Sequence, residues 1–242
     1  MWIVKCTPFA IISLIAAAVG AQSDLGEVFS QVGMFVLAVC VGFLLQFLLV
    51  YAGLYLFFVR KNPFKYYRHL FPAMMLAFSS ESSAATIPVS IDCAVSSGDV
   101  PSGIANFVIP FGVTINMDGM AIEIICASVW LAYQNGIVLG AGDYVVLALA
   151  ATLGSMGAAP VPASGIVMIL TAYATAFGST GSGPPAGLGY ILPVLWLLDR
   201  FSTVVNVTGD MNVAAIVANK VNKAHTLKHS STAAETETTC KE

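Results

Sequence analysis

Charge is what this sequence has least of. Only 10% of its 242 residues are charged, against about 25% in a soluble domain, while 57% are hydrophobic and the mean hydropathy is +0.84. That excludes an ordinary soluble domain and places the chain in a lipid bilayer. The net charge is −3 and there is no basic stripe, which excludes nucleic-acid binding. Histidine is scarce: His69, His225 and His229 all fall in expected loops or the tail. HExxH and GxSxG are missing, so neither intramembrane protease nor hydrolase chemistry has its residues, and the chain reads as no enzyme, with no organic cofactor. The five cysteines (Cys6, Cys40, Cys93, Cys126, Cys240) are scattered without a CxxC, which suits packing better than a metal centre or a disulfide framework. Apolar runs alternating with period two are also missing, which favours a helical bundle over a β-barrel.

What is there is a carboxylate where none belongs. Thr114-Ile115-Asn116-Met117-Asp118-Gly119 sits inside an apolar run from Ile104 to Leu139. A carboxylate at bilayer depth costs at least about 2.5–3.5 kcal/mol on insertion scales, so it faces a cavity, a partner or an ion. Pro110, Gly112 and Gly119 flank it and suit a helix that breaks there, freeing backbone carbonyls for a cation. The plainer alternative is an Asp salt-bridged inside a bundle.

Residues 1–21 read as an apolar helix, or as a signal peptide cleaved near Val19-Gly20-Ala21. A polar loop at 22–30 precedes a helix over 31–59. That helix ends at Arg60, Lys61, Lys65 and Arg68, a cluster that orients the chain with this end in the cytoplasm. Residues 70–100 split into two short apolar halves around Ser79-Ser80-Glu81-Ser82-Ser83-Ala84-Ala85-Thr86-Ile87-Pro88, which predicts a re-entrant hairpin rather than a plain polar loop. A broken helix spans 104–139. The plan then repeats: a hairpin over 143–177 with a small-residue tip at 154–165, a Gly/Ser/Pro turn at 178–187 and a long helix over 188–219. The tail 223–242 is Thr-, Ser- and Glu-rich and is expected to be disordered. The fold class is therefore all-α integral membrane: a bundle with two re-entrant hairpins and two broken helices in an inverted repeat.

On the last helix Asp199, Thr203, Asn206 and Asp210 stand at i, i+4, i+7 and i+11 and share one face, with Ser202 beside it. Oxygen donors on one stripe suit a hard cation and an ammonium group; a seam that only joins helices is the alternative. Arg200 needs a partner, and Glu81 is the candidate.

Ser82-Ser83-Ala84-Ala85-Thr86-Ile87-Pro88, the Asn116-Met117-Asp118-Gly119 run, Gly154-Ser155-Met156-Gly157-Ala158-Ala159 and Asn206-Val207-Thr208-Gly209-Asp210 follow the order seen in the dicarboxylate/amino-acid:cation symporter family, which the chain resembles over about residues 1–222. The resemblance implies a secondary active transporter of the elevator type, with residues 31–222 forming the transport domain and helix 1–21 belonging to the scaffold. It implies sodium as coupling ion, an amino-acid substrate, a homotrimer, and a multi-pass plasma-membrane protein with a cytoplasmic C-terminus. One sodium site would use the backbone of Gly112 and Asn206 with the side chains of Asn116 and Asp210. A second would use carbonyls of Thr114, Met117, Ser155 and Met156. A third would use Asn116 and Asp118. The substrate would lie at Ser83, Asp199, Ser202, Thr203 and Asn206 under a gate formed by Val161 and Gly165.

Departures from the family pattern narrow the substrate. Acidic-substrate members have Arg where this chain has Ser202, so a small neutral amino acid is expected before an acidic one. The Glu that those members carry six residues after the motif Asp is Ile124 here; Glu123 lies one step earlier and is assigned to a different face. A tip Gly is Pro160 and a second acid is Leu195. The chain begins at what resembles the fifth of eight spans, which also raises a truncated, non-transporting subunit or an anion-channel-like member as alternatives to a symporter.

Overall fold

The computed structural model describes residues 25–161, 164–178 and 183–239. The helix expected over 1–21, its cleavage-like site, Pro162 in the second tip and Cys240 lie outside the described residues. Among the described residues every regular element is helical. Three of the described helical stretches are long and apolar enough to cross a membrane: Ser30–Phe58, Ser102–Gln134 and Leu188–Lys223. Their outer faces carry large apolar side chains, Leu49 at 71% and Phe57 at 74% exposure, as a surface turned to hydrocarbon rather than to water requires.

The chain opens with α1, Leu25–Leu45, so part of the loop expected at 22–30 is already helical. A π-helical turn, Gln46–Tyr51, follows, and α2 is Ala52–Phe58. The π-turn is a local widening of the ladder, a feature common at functional sites. Here the Tyr51 carbonyl accepts a hydrogen bond from Asn212 Nδ2 at 3.0 Å, which ties the turn to the last helix.

The first hairpin is α3, Pro63–Ser80, and α4, Ser83–Ser96. It starts earlier than the sequence suggested because Asn62 caps Phe64 N at 2.9 Å and Pro63 suits the first helical position; Lys65 and Arg68 therefore ride on the helix. Glu81, with φ 52°, closes α3 in the left-handed region, and Ser82 caps α4 by accepting from Ala85 N at 3.3 Å. Two residues thus turn the chain back on itself. At the other end of α4, Asp99 pairs with Lys61 and accepts from Tyr55 Oη at 2.8 Å. Burial alone would raise the Asp99 carboxyl, but the bonds from Lys61 and Tyr55 outweigh it and hold it below the usual carboxylate range.

α5, Ser102–Ile115, and α6, Asp118–Gln134, are one span broken at Asn116 and Met117, whose backbones leave helical geometry at φ −113°, ψ 85° and φ −116°, ψ 63°. Pro110 lacks an N–H and Gly112 is a weak helix former, so the ladder is already thin where it stops. The second hairpin is α7, Ala141–Gly157, and α8, Gly165–Phe177. The two hairpin tips meet: Ser82 Oγ donates to the Pro160 carbonyl at 2.8 Å.

The last helix, α9, is Leu188–Thr239 and packs against α3, α4, α5 and α6. One expectation is corrected here. The second break is not present, because Gly209 alone cannot open a ladder without a proline nearby. The helix runs to Thr239, and residues 210–239 contain neither glycine nor proline. From Ser202 to Asn212 nearly every side chain of α9 is buried, so this polar stretch is the centre of the bundle.

Close approach to α9 needs glycines. A Cβ on Gly119 would stand 2.5 Å from the Ser202 carbonyl oxygen and 2.8 Å from its Cα, both backbone atoms. Gly119→Ala is therefore expected to destabilise the protein by about 1–3 kcal/mol in thermal or denaturant unfolding. Gly33→Ala, with nothing within 4 Å, should be neutral or slightly stabilising. Because the Asp99 carboxyl is held low, its contribution to stability is present above about pH 4 and is lost as pH falls through its lowered value. Asp99→Asn should remove that acid-side loss, by at most about 1 kcal/mol given the exposed Lys61 partner, in unfolding measured across pH 2–6.

Candidate functional site

The site is the ring of polar groups where the α5–α6 break meets the middle of α9. Asn116 Nδ2 donates to Asp210 Oδ1 at 3.2 Å. The other oxygen, Asp210 Oδ2, is buried and has no hydrogen-bonding partner. Gly112 lies directly under this carboxylate: a Cβ there would come 2.8 Å from Asp210 Cγ. Asn206 Oδ1 accepts from Gly119 N at 2.8 Å, satisfying one of the free amides at the start of α6. Gly209 presses on the same spot; a Cβ would stand 3.0 Å from Asn116 Nδ2 and 2.6 Å from Tyr51 Oη. Of the set read for one cation, Gly112 and Asn116 are therefore brought to Asp210, while Asn206, one turn earlier on α9, is bound to Gly119 N.

Asp118 is handled differently. Its Oδ2 accepts from Tyr51 Oη at 2.8 Å and from Gln46 Nε2 at 3.0 Å, the two ends of the π-turn. Its position at the first turn of α6 also suits the helix dipole. Gln46 and Tyr51 did not emerge from the sequence, since nothing in an apolar helix announces a π-turn. Of the second set, Met117 and Ser155 are buried while Thr114 and Met156 are exposed, and α5 touches α7. The Thr114 hydroxyl donates to the Phe111 carbonyl at 2.7 Å and that of Ser155 to Thr152 at 3.0 Å, each within its own helix.

The residues expected around the substrate are spread over α4, the second tip, α8 and α9. Ser83 is buried in the first turn of α4, where its carbonyl accepts from Thr86 Oγ1 at 2.7 Å. Thr203 is buried and donates to the Asp199 carbonyl at 2.8 Å. Ser202 is fully buried against Gly119. Val161 is half exposed in the second tip. Asp199 and Gly165 line a narrow cavity with Ile169, Leu195, Trp196 and Glu123.

Glu123 is the residue that sequence reasoning set aside. It is one helical turn beyond Gly119, so it shares the face that meets Ser202, and it is buried within range of Asp199. The i, i+4 spacing from Gly119 was the signal for this. Arg200 turns the other way. It pairs with Glu81, donates to the Phe78 carbonyl at 3.2 Å and lies over the Trp196 ring at 5.3 Å, so the pairing expected from sequence is present.

Comparison with known proteins identifies the family. Residues 1–220 match the family described as the sodium:dicarboxylate symporter family. The chain is 38% identical over 216 residues to excitatory amino acid transporter 2 of Homo sapiens, covering 87% of this chain and 36% of that protein. Against excitatory amino acid transporter 3 of Mus musculus it is 38% identical over 217 residues, 89% of this chain and 40% of the relative. Against neutral amino acid transporter B(0) of Mus musculus it is 32% identical over 222 residues, 92% of this chain and 39% of the relative. The chain thus spans well under half the length of these relatives. A broken span pressed against a polar last helix, carried on a match that runs through residue 220, leads to one conclusion: this chain belongs to the sodium:dicarboxylate symporter family.

Proposed function

We propose that the protein is a secondary active transporter that couples the entry of an amino acid without an acidic side chain to sodium. The observation that carries the sodium part is Asp210. One of its oxygens is paired with Asn116, while the other is buried without a hydrogen-bonding partner beside the broken backbone. A buried carboxylate oxygen left unsatisfied costs free energy that a cation can offset. Amide, carboxylate and carbonyl oxygens are the donors that hard cations take. The reading assigns Gly112, Asn116, Asn206 and Asp210 to one sodium, Thr114, Met117, Ser155 and Met156 to a second, and Asp118 with Asn116 to a third.

The substrate part rests on the charge of the pocket. Asp199 and Glu123 line it, Ser202 stands where a guanidinium would be needed, and Arg200 is engaged with Glu81. A substrate side-chain carboxylate there would be desolvated without a partner, whereas a small neutral side chain would not. In this reading α3–α4 and α7–α8 are re-entrant hairpins. Their contact from Ser82 to the Pro160 carbonyl holds the tips together, and Val161 and Gly165 belong to the gate. The elevator movement, a homotrimer, residence in the plasma membrane and a cytoplasmic C-terminus belong to the same proposal. The chemistry is non-covalent throughout, so the reading is of a carrier and not of an enzyme.

Calorimetric binding of serine, alanine and aspartate to the purified protein, with sodium and with potassium, tests this. Serine and alanine should bind in sodium at least about tenfold more tightly than in potassium, and more tightly than aspartate. Equal affinity in the two salts would overturn sodium coupling; tighter binding of aspartate would overturn the substrate reading. Asp210→Asn should lower the apparent sodium affinity by about tenfold or more, read as the sodium concentration giving half-maximal serine binding.

A further inference from the structure

A groove of about 850 Å³ runs along the outer side of the π-turn and α2, lined by Leu48, Ala52, Gly53 and Leu56 and ending at Arg60, Lys61 and Phe64. Leu48 and Leu56 are exposed, and a Cβ on Gly53 would meet nothing within 4 Å. A polar cavity of about 370 Å³ adjoins it: Lys61 and Asn62 line both, and Lys65, His69 and Asp99 line the second alone. Lys65 and His69, four residues apart, share one face of α3. The apolar stretch ends at Phe58, so the groove lies at the depth of acyl chains and the polar cavity at the level of headgroups. The two cavities hold three cations, Arg60, Lys61 and Lys65, against one carboxylate. That carboxylate, Asp99, is already paired with Lys61 and bonded by Tyr55, and among the described residues Arg60 and Lys65 make no ion pair. Arg60 follows α2 at φ 61°, a left-handed position that glycine ordinarily fills. An arginine held there at a cost in strain presents a charge that glycine lacks.

An apolar groove that opens into a cationic cavity matches an amphiphile with an acyl chain and an anionic headgroup. A free anion would use the cavity and leave the groove empty; a zwitterionic lipid would bring its own cation against Arg60 and Lys65. We propose that this surface is a binding site for an anionic phospholipid of the adjoining leaflet, its phosphate held by Arg60 and Lys65 with the His69 imidazole, and one acyl chain lying over Gly53 between Leu48 and Leu56. The positive end of the α3 dipole adds to the attraction. Bound there, the lipid bridges the end of the first span and the start of the first hairpin, and its binding free energy adds to the stability of that junction. Orientation of the chain by its basic residues requires only their number, and Arg68 counts there equally. Arg68 lines neither cavity, so it separates a built site from diffuse attraction.

The test is binding of phosphatidylglycerol and of phosphatidylcholine with the same acyl chains to the intact protein in detergent, counted by native mass spectrometry and read in parallel as the rise in thermal unfolding temperature. Phosphatidylglycerol should bind at least about tenfold more tightly than phosphatidylcholine, and Arg60→Gly and Lys65→Gln should each weaken it about fivefold. Glycine suits the left-handed position, so lipid-free Arg60→Gly should unfold no earlier than the parent. Gly53→Leu, which fills the groove and leaves the cations in place, should weaken phosphatidylglycerol by a similar factor. Arg68→Gln removes the same charge outside the cavities and should leave binding unchanged. Equal affinity for the two lipids would overturn the proposal. So would an equal loss in Arg68→Gln and Lys65→Gln, which marks diffuse attraction, or full binding by Gly53→Leu, which takes the acyl chain out of the groove. Inorganic phosphate that raises the unfolding temperature as far as phosphatidylglycerol does would also overturn it, assigning the cavity to a free anion.

Discussion

The centre of this bundle is organised by two carboxylates on apolar helices, Asp210 buried and Asp118 half-buried. Asp210 lies in the middle of a helix stretch buried on nearly every side, and Asp118 sits on a mostly apolar span whose one other acid is Glu123. The fold answers each in a different way. Asp118 takes two donors from a π-turn across the interface. Asp210 receives one amide and keeps one oxygen bare beside a break in the backbone. A bare carboxylate oxygen beside open backbone, as at Asp210, suits a site that must accept and release a cation.

Glycine makes the second arrangement possible. Gly112, Gly119 and Gly209 are the points at which α5, α6 and α9 approach closely enough for amide and carboxylate to meet. The penalty of three weak helix formers in or beside spans is offset by the polar contacts that their missing side chains permit.

Much of this was legible in the sequence. The break was readable because Pro110, Gly112 and the Asn-Met-Asp-Gly run conflict with an apolar helix. The α9 stripe was readable from a 3.6-residue period, and Glu81 as the partner of Arg200 from the cost of burying a lone guanidinium. Other features were not legible, for definable reasons. Nothing in Gln46–Tyr51 marks a change from five- to six-residue hydrogen-bonded rings, so the π-turn that serves Asp118 was hidden. A second break in α9 was inferred by symmetry with the first, but Asn206-Val207-Thr208-Gly209-Asp210 lacks the proline that thins the ladder before Asn116. Glu123 was given no role because only the next position, Ile124, was compared with the family pattern, and not the i, i+4 spacing from Gly119, the residue that touches α9.

The measurement that bears most directly on the break as a cation site is a double-mutant cycle between Asn116 and Asp210, using Asn116→Ala and Asp210→Asn, with unfolding free energies taken in sodium and again in potassium. If the pair binds sodium, each single variant already loses the ion. The coupling between them should then exceed about 1 kcal/mol in sodium and fall clearly below that in potassium. The same coupling in both salts would show that the pair merely joins two helices, and would contradict a cation site at the break.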